Sequence, residues 1–351
     1  MSDLLQRLGL VPFFIQQLTD AGLLQDRLGR VTSVQRSRST VVCGSGEKVV
    51  ELSSVLRQSD AIDRPTVGDW VVLDDSLSRI EHVLERKSLF KRLAAGSNNE
   101  IQPIAANIDV LFIVTSCNEE FKESRLERYL ALGAEAGATP VIVLTKADLV
   151  DDVDCYVQRA RSTQTGVPVE TANALDPATL DGVRSWIDKA STVALVGSSG
   201  VGKSTLLNTL AGHALTATDE IREQDKKGRH TTTHRELHML PSGGLLVDVP
   251  GMRELKVADI NQSVGTVFDD IELLAKHCQF ADCKHETEPG CAVLRAIEEN
   301  KIDRRRLANY KKLLRENALA TATLAEKRAQ GRAFAKVVKE GKNVKQKRTK
   351  I

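Results

Sequence analysis

Two runs of this chain carry residues whose types and spacing suit the recognition of a nucleotide. Gly197-Ser198-Ser199-Gly200-Val201-Gly202-Lys203-Ser204, followed by Thr205, has the spacing G-x-x-x-x-G-K-[ST]. Glycines let the backbone curl until successive N–H groups face inward, making a nest for phosphate oxygens at the positive end of a helix. Lys203 would reach the outer phosphates as a point charge, and the Ser204 hydroxyl is placed to ligate Mg2+. The spacing is specific only between a strand and a helix. Both flanks are present, with Thr192-Val193-Ala194-Leu195-Val196 reading as a strand and Ser204 to Leu210 as a helix.

The second run is Leu144-Thr145-Lys146-Ala147-Asp148, which follows the apolar strand Pro140-Val141-Ile142-Val143-Leu144. An ionised Asp148 only accepts hydrogen bonds, which suits the N1–H and exocyclic amine of guanine and repels the acceptor N1 of adenine. Lys146 would lay its stem over the base and brace the phosphate loop. Thr145 stands where asparagine is commoner, and Ala147 completes the run. Thr171-Ala172-Asn173 is the candidate for a second base-side loop. The ordinary Ras-like order puts the phosphate loop first; here the base-reading run precedes it. The order implies a circularly permuted GTPase.

Asp248-Val249-Pro250-Gly251 follows a buried-strand pattern and offers the Asp248 carboxylate as a second Mg2+-side ligand. The Gly251 N–H would sense a terminal phosphate. Between the motifs, Lys226-Lys227-Gly228-Arg229-His230-Thr231-Thr232-Thr233 reads as a switch loop, with Thr232 completing Mg2+ coordination. The position after Asp-x-x-Gly, a glutamine in Ras-like enzymes, is Met252, which cannot orient water. His230 is the candidate substitute, as a catalytic group that positions water or takes its proton; the alternative is a surface histidine. Slow intrinsic hydrolysis, accelerated by a partner that orders this loop, is expected.

Downstream, Cys278, Cys283, His285 and Cys291 form C-x4-C-x-H-x5-C. Three thiolates and an imidazole make a closed tetrahedral Zn2+ site with no open position, hence a structural one. His277 is an alternative ligand. Disulfides are the other explanation, but Cys43, Cys117 and Cys155 lack framework spacing.

These elements must be positioned by a chain of 351 residues, 41% hydrophobic, long enough for two or three domains. Short β-rich runs such as Val49-Val50-Glu51-Leu52 and Asp69-Trp70-Val71-Val72-Leu73 predict a small OB-type barrel over 31–90. Trp70 is read as core rather than surface. Aromatic residues make up 4% of the chain, so this barrel would bind RNA by shape and phosphate contacts rather than base stacking. From residue 104, apolar strands alternate with helical stretches, the pattern of a parallel sheet wrapped by helices. A GTPase domain is placed at 91–260, a zinc-binding helical domain at 261–320 and a basic tail at 321–351; residues 1–30 carry no legible signal. A helix over 302–320 is expected to bridge the zinc region to the tail. Net charge is +2, yet residues 326–351 hold ten Lys or Arg against two Glu. Such a tail reads as an RNA-phosphate binder, or else as a solubilising extension. No run of about eighteen apolar residues and no export signal appears, so a soluble, cytoplasmic protein is expected.

The phosphate loop, Asp-x-Pro-Gly, the permuted order, Gly-x-His-Thr-Thr-Thr and the cysteine–histidine run together resemble the ribosome small-subunit-dependent GTPases of the RsgA type. Arg86-Lys87-Ser88-Leu89-Phe90-Lys91-Arg92 and Ala105-Ala106-Asn107-Ile108-Asp109 look like that family's linker into its GTPase domain. The resemblance implies an N-terminal OB-fold barrel, a permuted GTPase centre and a C-terminal zinc domain. It also implies a monomer that binds GTP or GDP and the 30S subunit with its rRNA late in maturation, and no membrane. The chain departs from the family at Thr171, where serine is usual, and lacks the glycine that normally follows. Two other function classes are a guanine-sensing RNA-binding module with negligible turnover and an ATP-using kinase or ATPase.

Overall fold

The computed structural model describes residues 3–35, 38–93, 101–215, 235–248 and 261–321. Five strands, β1 (Leu28–Val34), β2 (Ser39–Cys43), β3 (Gly46–Leu52), β4 (Trp70–Leu73) and β5 (Arg79–Val83), run in the order β1-β2-β3-β5-β4. An additional pairing of β1 with β4 closes them into a barrel. Closure removes the sheet edges that an open five-stranded sheet would expose. Val31, Val41, Val50, Val71, Leu73 and Ile80 fill the interior. Gly29 lets β1 and β2 approach, because a Cβ there would meet Val41 Cγ1 at 2.4 Å.

Strand β4 is buried on both faces, which explains why its apolar run is continuous rather than alternating. Val71 and Leu73 face the barrel core, whereas Trp70 and Val72 join a different cluster with Phe14, Leu18, Ile108 and Leu111. Trp70 is fully buried, its ring 5.6 Å from that of Phe14. Residues near the N-terminus, silent in the sequence, therefore have a structural task. Their helices Asp3–Arg7 and Pro12–Ala21 and the turn between them wedge Leu5, Leu8, Phe14 and Leu18 between the barrel and the following domain. Within the same junction Arg30, 1% exposed, donates to the carbonyls of Leu8, Gly68 and Asn107 and to Thr192 Oγ1. Burial pulls its pKa down to about 10, against the opposing pull of Asp109 and Asp69.

Strands β6 (Leu89–Leu93) and β7 (Ile101–Ala106) form an antiparallel hairpin leading out of the barrel. The boundaries placed at 30/31 and 90/91 thus run through β1 and β6, and the barrel strands proper span Leu28 to Val83.

The second sheet contains β8 (Val110–Ser116), β9 (Thr139–Thr145), β10 (Val169–Ala172), β11 (Thr192–Val196), β12 (Arg235–Met239) and β13 (Leu245–Asp248). Their order is β10-β9-β8-β11-β13-β12, with β12 antiparallel and the other five parallel. All seven residues of β8 are buried, as befits a central strand covered by helices on both faces. Strand β12 also pairs with β1 through Ser33–Glu236 and Val34–Arg235, so barrel and parallel sheet share one continuous ladder.

The C-terminal part is helical: Asn261–Val267, Asp269–Ala275, Ala292–Glu298 and Arg304–Thr321. Its last helix is fastened to the parallel-sheet domain through a buried carboxylate. Glu127, fully buried on the helix Glu123–Ala136, accepts from Arg305 at 3.1 and 3.2 Å, from Arg306 at 3.2 Å and from Asn309 at 2.5 Å. Arg306 also forks onto Asp270 at 2.8 and 2.9 Å and donates to the carbonyls of Thr163 and Val267. No helix among the described residues is long and apolar enough to cross a membrane.

Removing one member of a buried ion cluster leaves uncompensated charge and costs about 3–5 kcal/mol. Glu127→Gln should therefore lower stability by about that amount, read as a shift in the urea midpoint, whereas Arg128→Gln, at the half-exposed pair with Glu316, should cost under about 1 kcal/mol.

Candidate functional site

Ligands of open α/β sheets bind beyond the carboxyl ends of the parallel strands. Among the described residues, the nucleotide motifs read from the sequence lie there. Thr145 ends β9, Ala172 ends β10, Gly197 follows β11 and Asp248 ends β13. Because β9, β8, β11 and β13 pair in that spatial order, the permuted motifs reach one edge of the sheet.

The phosphate loop runs from Gly197 to Gly202, and the helix Lys203–Ala211 starts on its lysine, so Ser204 and Thr205 occupy the first turn. Gly197, Gly200 and Gly202 adopt φ of +148°, +76° and +90°. At Gly197 a Cβ would sit 2.1 Å from the Val114 carbonyl oxygen, so no other residue fits there. Lys203 Nζ donates to the Ser198 carbonyl, Ser199 is exposed, and Val201 is buried against Leu206, Leu207 and Leu210.

Two bonds tie the base-reading run to this loop. Thr145, fully buried, places Oγ1 2.6 Å from the Val201 carbonyl and 3.2 Å from that of Thr115; its single proton serves the shorter contact. Lys146 takes a left-handed φ of +57° and donates from Nζ to the Gly200 carbonyl at 2.9 Å. The bracing expected of Lys146 is thus present, and Thr145 adds a brace that the sequence did not reveal. Ala147 and Asp148 lie on the short turn of helix after it, with Asp148 exposed at the mouth of the site.

Thr171 and Ala172 pair with Leu144 and Thr145 along β10, which sets Asn173 beside the base-reading run. Asn173 Oδ1 accepts from the Leu175 N–H, and Thr209, on the helix that follows the phosphate loop, donates to the Ala174 carbonyl. Asp248 is placed by its backbone at the end of β13, next to β11. His230, Thr232 and Gly251, named as catalytic, Mg2+-binding and phosphate-sensing residues, lie outside the described residues, as does the basic tail.

Arg125 was missed entirely. It projects from the helix Glu123–Ala136 to donate to Ser198 Oγ on the phosphate loop, and it pairs with Glu120 at 3.1 Å. Nothing in its sequence setting distinguishes it from a solvated helical arginine.

The cysteine–histidine run closes into one cluster. Cys278, Cys283, His285 and Cys291 bring their ligand atoms within 4.8 Å of one another, the imidazole through Nδ1. Corners of a tetrahedron around zinc, with sulfur about 2.3 Å and nitrogen about 2.0–2.1 Å from the metal, are roughly 3.6–3.8 Å apart. The spacings here are 3.8 Å between Cys278 and Cys291 sulfurs, and 3.6, 3.5 and 3.3 Å from the imidazole to Cys278, Cys283 and Cys291. His285 reaches the cluster by a left-handed φ of +55°, which turns the chain back two residues after Cys283. All six cysteines are free, and His277 is exposed outside the cluster. Burial opposes ionisation of Cys278, yet the N–H groups of Ala292 and Val293 hold its thiol below the ordinary range. Cys291 caps that helix by accepting from the Leu294 N–H at 3.4 Å. The donor set and spacing fit one tetrahedral metal ion. Purified protein should carry about one zinc per chain in a colorimetric release assay, falling to near none in Cys283→Ser, and chelation should lower the melting temperature.

Comparisons with known proteins agree with this layout. An RsgA GTPase family model matches residues 83–258. Over 347 residues the chain is 47% identical to "Small ribosomal subunit biogenesis GTPase RsgA 2" of Vibrio parahaemolyticus, covering 99% of this chain and 95% of the relative. It is 44% identical over 321 residues to "Small ribosomal subunit biogenesis GTPase RsgA" of Mesorhizobium japonicum, covering 90% of each. Among solved structures, YjeQ from Thermotoga maritima superposes with a TM-score of 0.61 at 27% identity, covering 83% of this chain and 98% of that one. YloQ, described as a circularly permuted GTPase, gives 0.58 at 24% identity, covering 84% and 96%, and speaks for the fold alone. Together with the permuted motif order on the sheet edge, these matches show that the chain belongs to the RsgA GTPase family.

Proposed function

We propose that this protein hydrolyses GTP to GDP and phosphate, that the small ribosomal subunit stimulates its turnover, and that it acts on that subunit late in maturation. The observation that carries the reading is the bracing of Val201 and Gly200 by Thr145 and Lys146, which joins a base-reading run and a phosphate loop into one pocket. Both named relatives carry small-subunit biogenesis in their descriptions.

In this reading Asp148 selects guanine by accepting from its N1–H and amine. The inward N–H groups of the Gly197–Gly202 loop and the Lys203 ammonium hold the phosphates. Catalysis of phosphoryl transfer is mostly positioning and charge stabilisation. Ser204, Thr232 and Asp248 would supply the oxygen ligands for Mg2+, which neutralises charge on the phosphates when bound; Ser204 in the first turn of the helix after β11 and Asp248 at the end of the adjoining β13 support such a set. His230 orients the attacking water in place of the glutamine that Met252 displaces, and the Gly251 N–H reads the terminal phosphate.

The barrel, the GTPase domain, the zinc-binding helices and the tail divide the labour. A groove of about 800 Å³ on the barrel is lined by Asp63, Asp74, Glu81 and Glu85 as well as by Arg79 and Arg86. RNA phosphates are better received elsewhere, on the outer face of the helix Arg304–Thr321, where Arg304, Lys312 and Arg315 are exposed together. With the basic tail this face gives a salt-sensitive grip on rRNA. The protein acts as a cytoplasmic monomer, and zinc holds the C-terminal helices in register for that contact.

Multiple-turnover GTP hydrolysis measured with and without purified small subunits tests the proposal. Turnover should rise at least about tenfold with subunits and disappear in Lys203→Ala; equal rates with and without subunits would favour the nucleotide-sensing module. His230→Ala should abolish the stimulated part and leave GDP affinity within about twofold.

A further inference from the structure

The hydrogen bonds of the Arg125 guanidinium among the described residues run through Nη1: to Ser198 Oγ, to Glu120 Oε2 at 3.1 Å and to the Glu120 carbonyl at 3.5 Å. Its side chain is 31% exposed, so the guanidinium sits at the loop without being sealed beneath it. Ser198 is thus held at both polar ends, its hydroxyl by Arg125 and its carbonyl by Lys203. These two ties respond differently to a nucleotide. Phosphate oxygens compete for the Lys203 ammonium, whereas Ser198 Oγ and Arg125 Nη1 remain available to each other. The bond also fixes where the loop can sit, because the helix bearing Arg125 is itself clamped two residues later, at Glu127, by Arg305, Arg306 and Asn309.

We propose that Arg125 is a positioning residue for nucleotide binding: through the Ser198 hydroxyl it holds the entry of the phosphate loop against the helix Glu123–Ala136. The proposal rests on the phosphate-loop reading given above. Since the loop cradles phosphates common to GDP and GTP, a residue acting through Ser198 affects both nucleotides by the same factor. A guanidinium touching the terminal phosphate would affect GTP alone.

Fluorescent GDP and GTP analogues titrated into wild type, Arg125→Leu, Ser198→Ala and the double variant test this. A charge-assisted hydrogen bond of this kind predicts an affinity loss of about tenfold in Arg125→Leu, equal for the two nucleotides. The double variant should be no weaker than the worse single one, because both remove the same contact. Arg125→Lys should recover part of the loss, and circular dichroism with urea unfolding will identify any variant that has lost its fold. Unchanged affinity in Arg125→Leu, additive losses in the double variant, or a loss confined to the GTP analogue would each overturn the proposal. Absence of GDP binding by the wild type would instead defeat the phosphate-loop reading itself.

Discussion

A single hydroxyl at the end of β9 holds this site together. Thr145 Oγ1 lies 2.6 Å from the Val201 carbonyl, joining residues 56 positions apart, and Lys146 adds its bond to Gly200. Both donors meet carbonyls of the phosphate loop, which fixes the path of its backbone against the end of β9. The bonds form because β9, β8 and β11 run parallel: Thr145 is level with Ser116, and β11 stops at Val196, level with Ile113, so the phosphate loop follows on the same edge of the sheet. Chain order is irrelevant to this geometry; strand order decides it. A permuted connection therefore assembles the pocket from segments met in the reverse sequence.

The same helix that faces the phosphate loop faces the zinc-binding part. Arg125 near its start touches Ser198, and Glu127, two residues on, is buried among the arginines of the helix Arg304–Thr321. That last helix is anchored at its other side by Lys311, whose ammonium donates to the His285 carbonyl at 2.8 Å within the cysteine–histidine cluster. On the opposite flank, β12 is hydrogen-bonded to β1 of the barrel. The parallel sheet is thus gripped by both neighbouring domains through elements that border the nucleotide motifs. A buried ion cluster is a weak source of net stability but a strict one of geometry, since any other seating of the C-terminal helix would leave Glu127 unpaired.

Much of this was legible in the residues. The strand Thr192–Val196 coincides with the sequence reading, the helix expected over 302–320 runs from Arg304 to Thr321, and the strand before Asp148 extends the expected one by one residue at each end. Periodicity and turn residues carry that information locally. Trp70 was read as core, and it is; its partner Phe14 was not foreseen, because a packing contact between distant segments leaves no period. Residues 1–30 were opaque for the same reason, the helices Asp3–Arg7 and Pro12–Ala21 being stabilised by what they cover. Arg30, Arg125 and Glu127 read as ordinary charged residues, and only the tertiary structure shows which are buried and paired. The cluster of Cys278, Cys283, His285 and Cys291 was legible because ligand chemistry restricts residue type as well as spacing.

In the proposed function, selection of the base rests on the acceptor-only chemistry of Asp148, exposed next to the braces made by Thr145 and Lys146. Isothermal calorimetry of the zinc-loaded protein with GDP and with ADP tests that claim most directly. The account predicts one GDP per chain and ADP binding weaker by at least about a hundredfold, the penalty for facing a carboxylate with an acceptor. Equal affinity for the two nucleotides, or no binding of either, would contradict it.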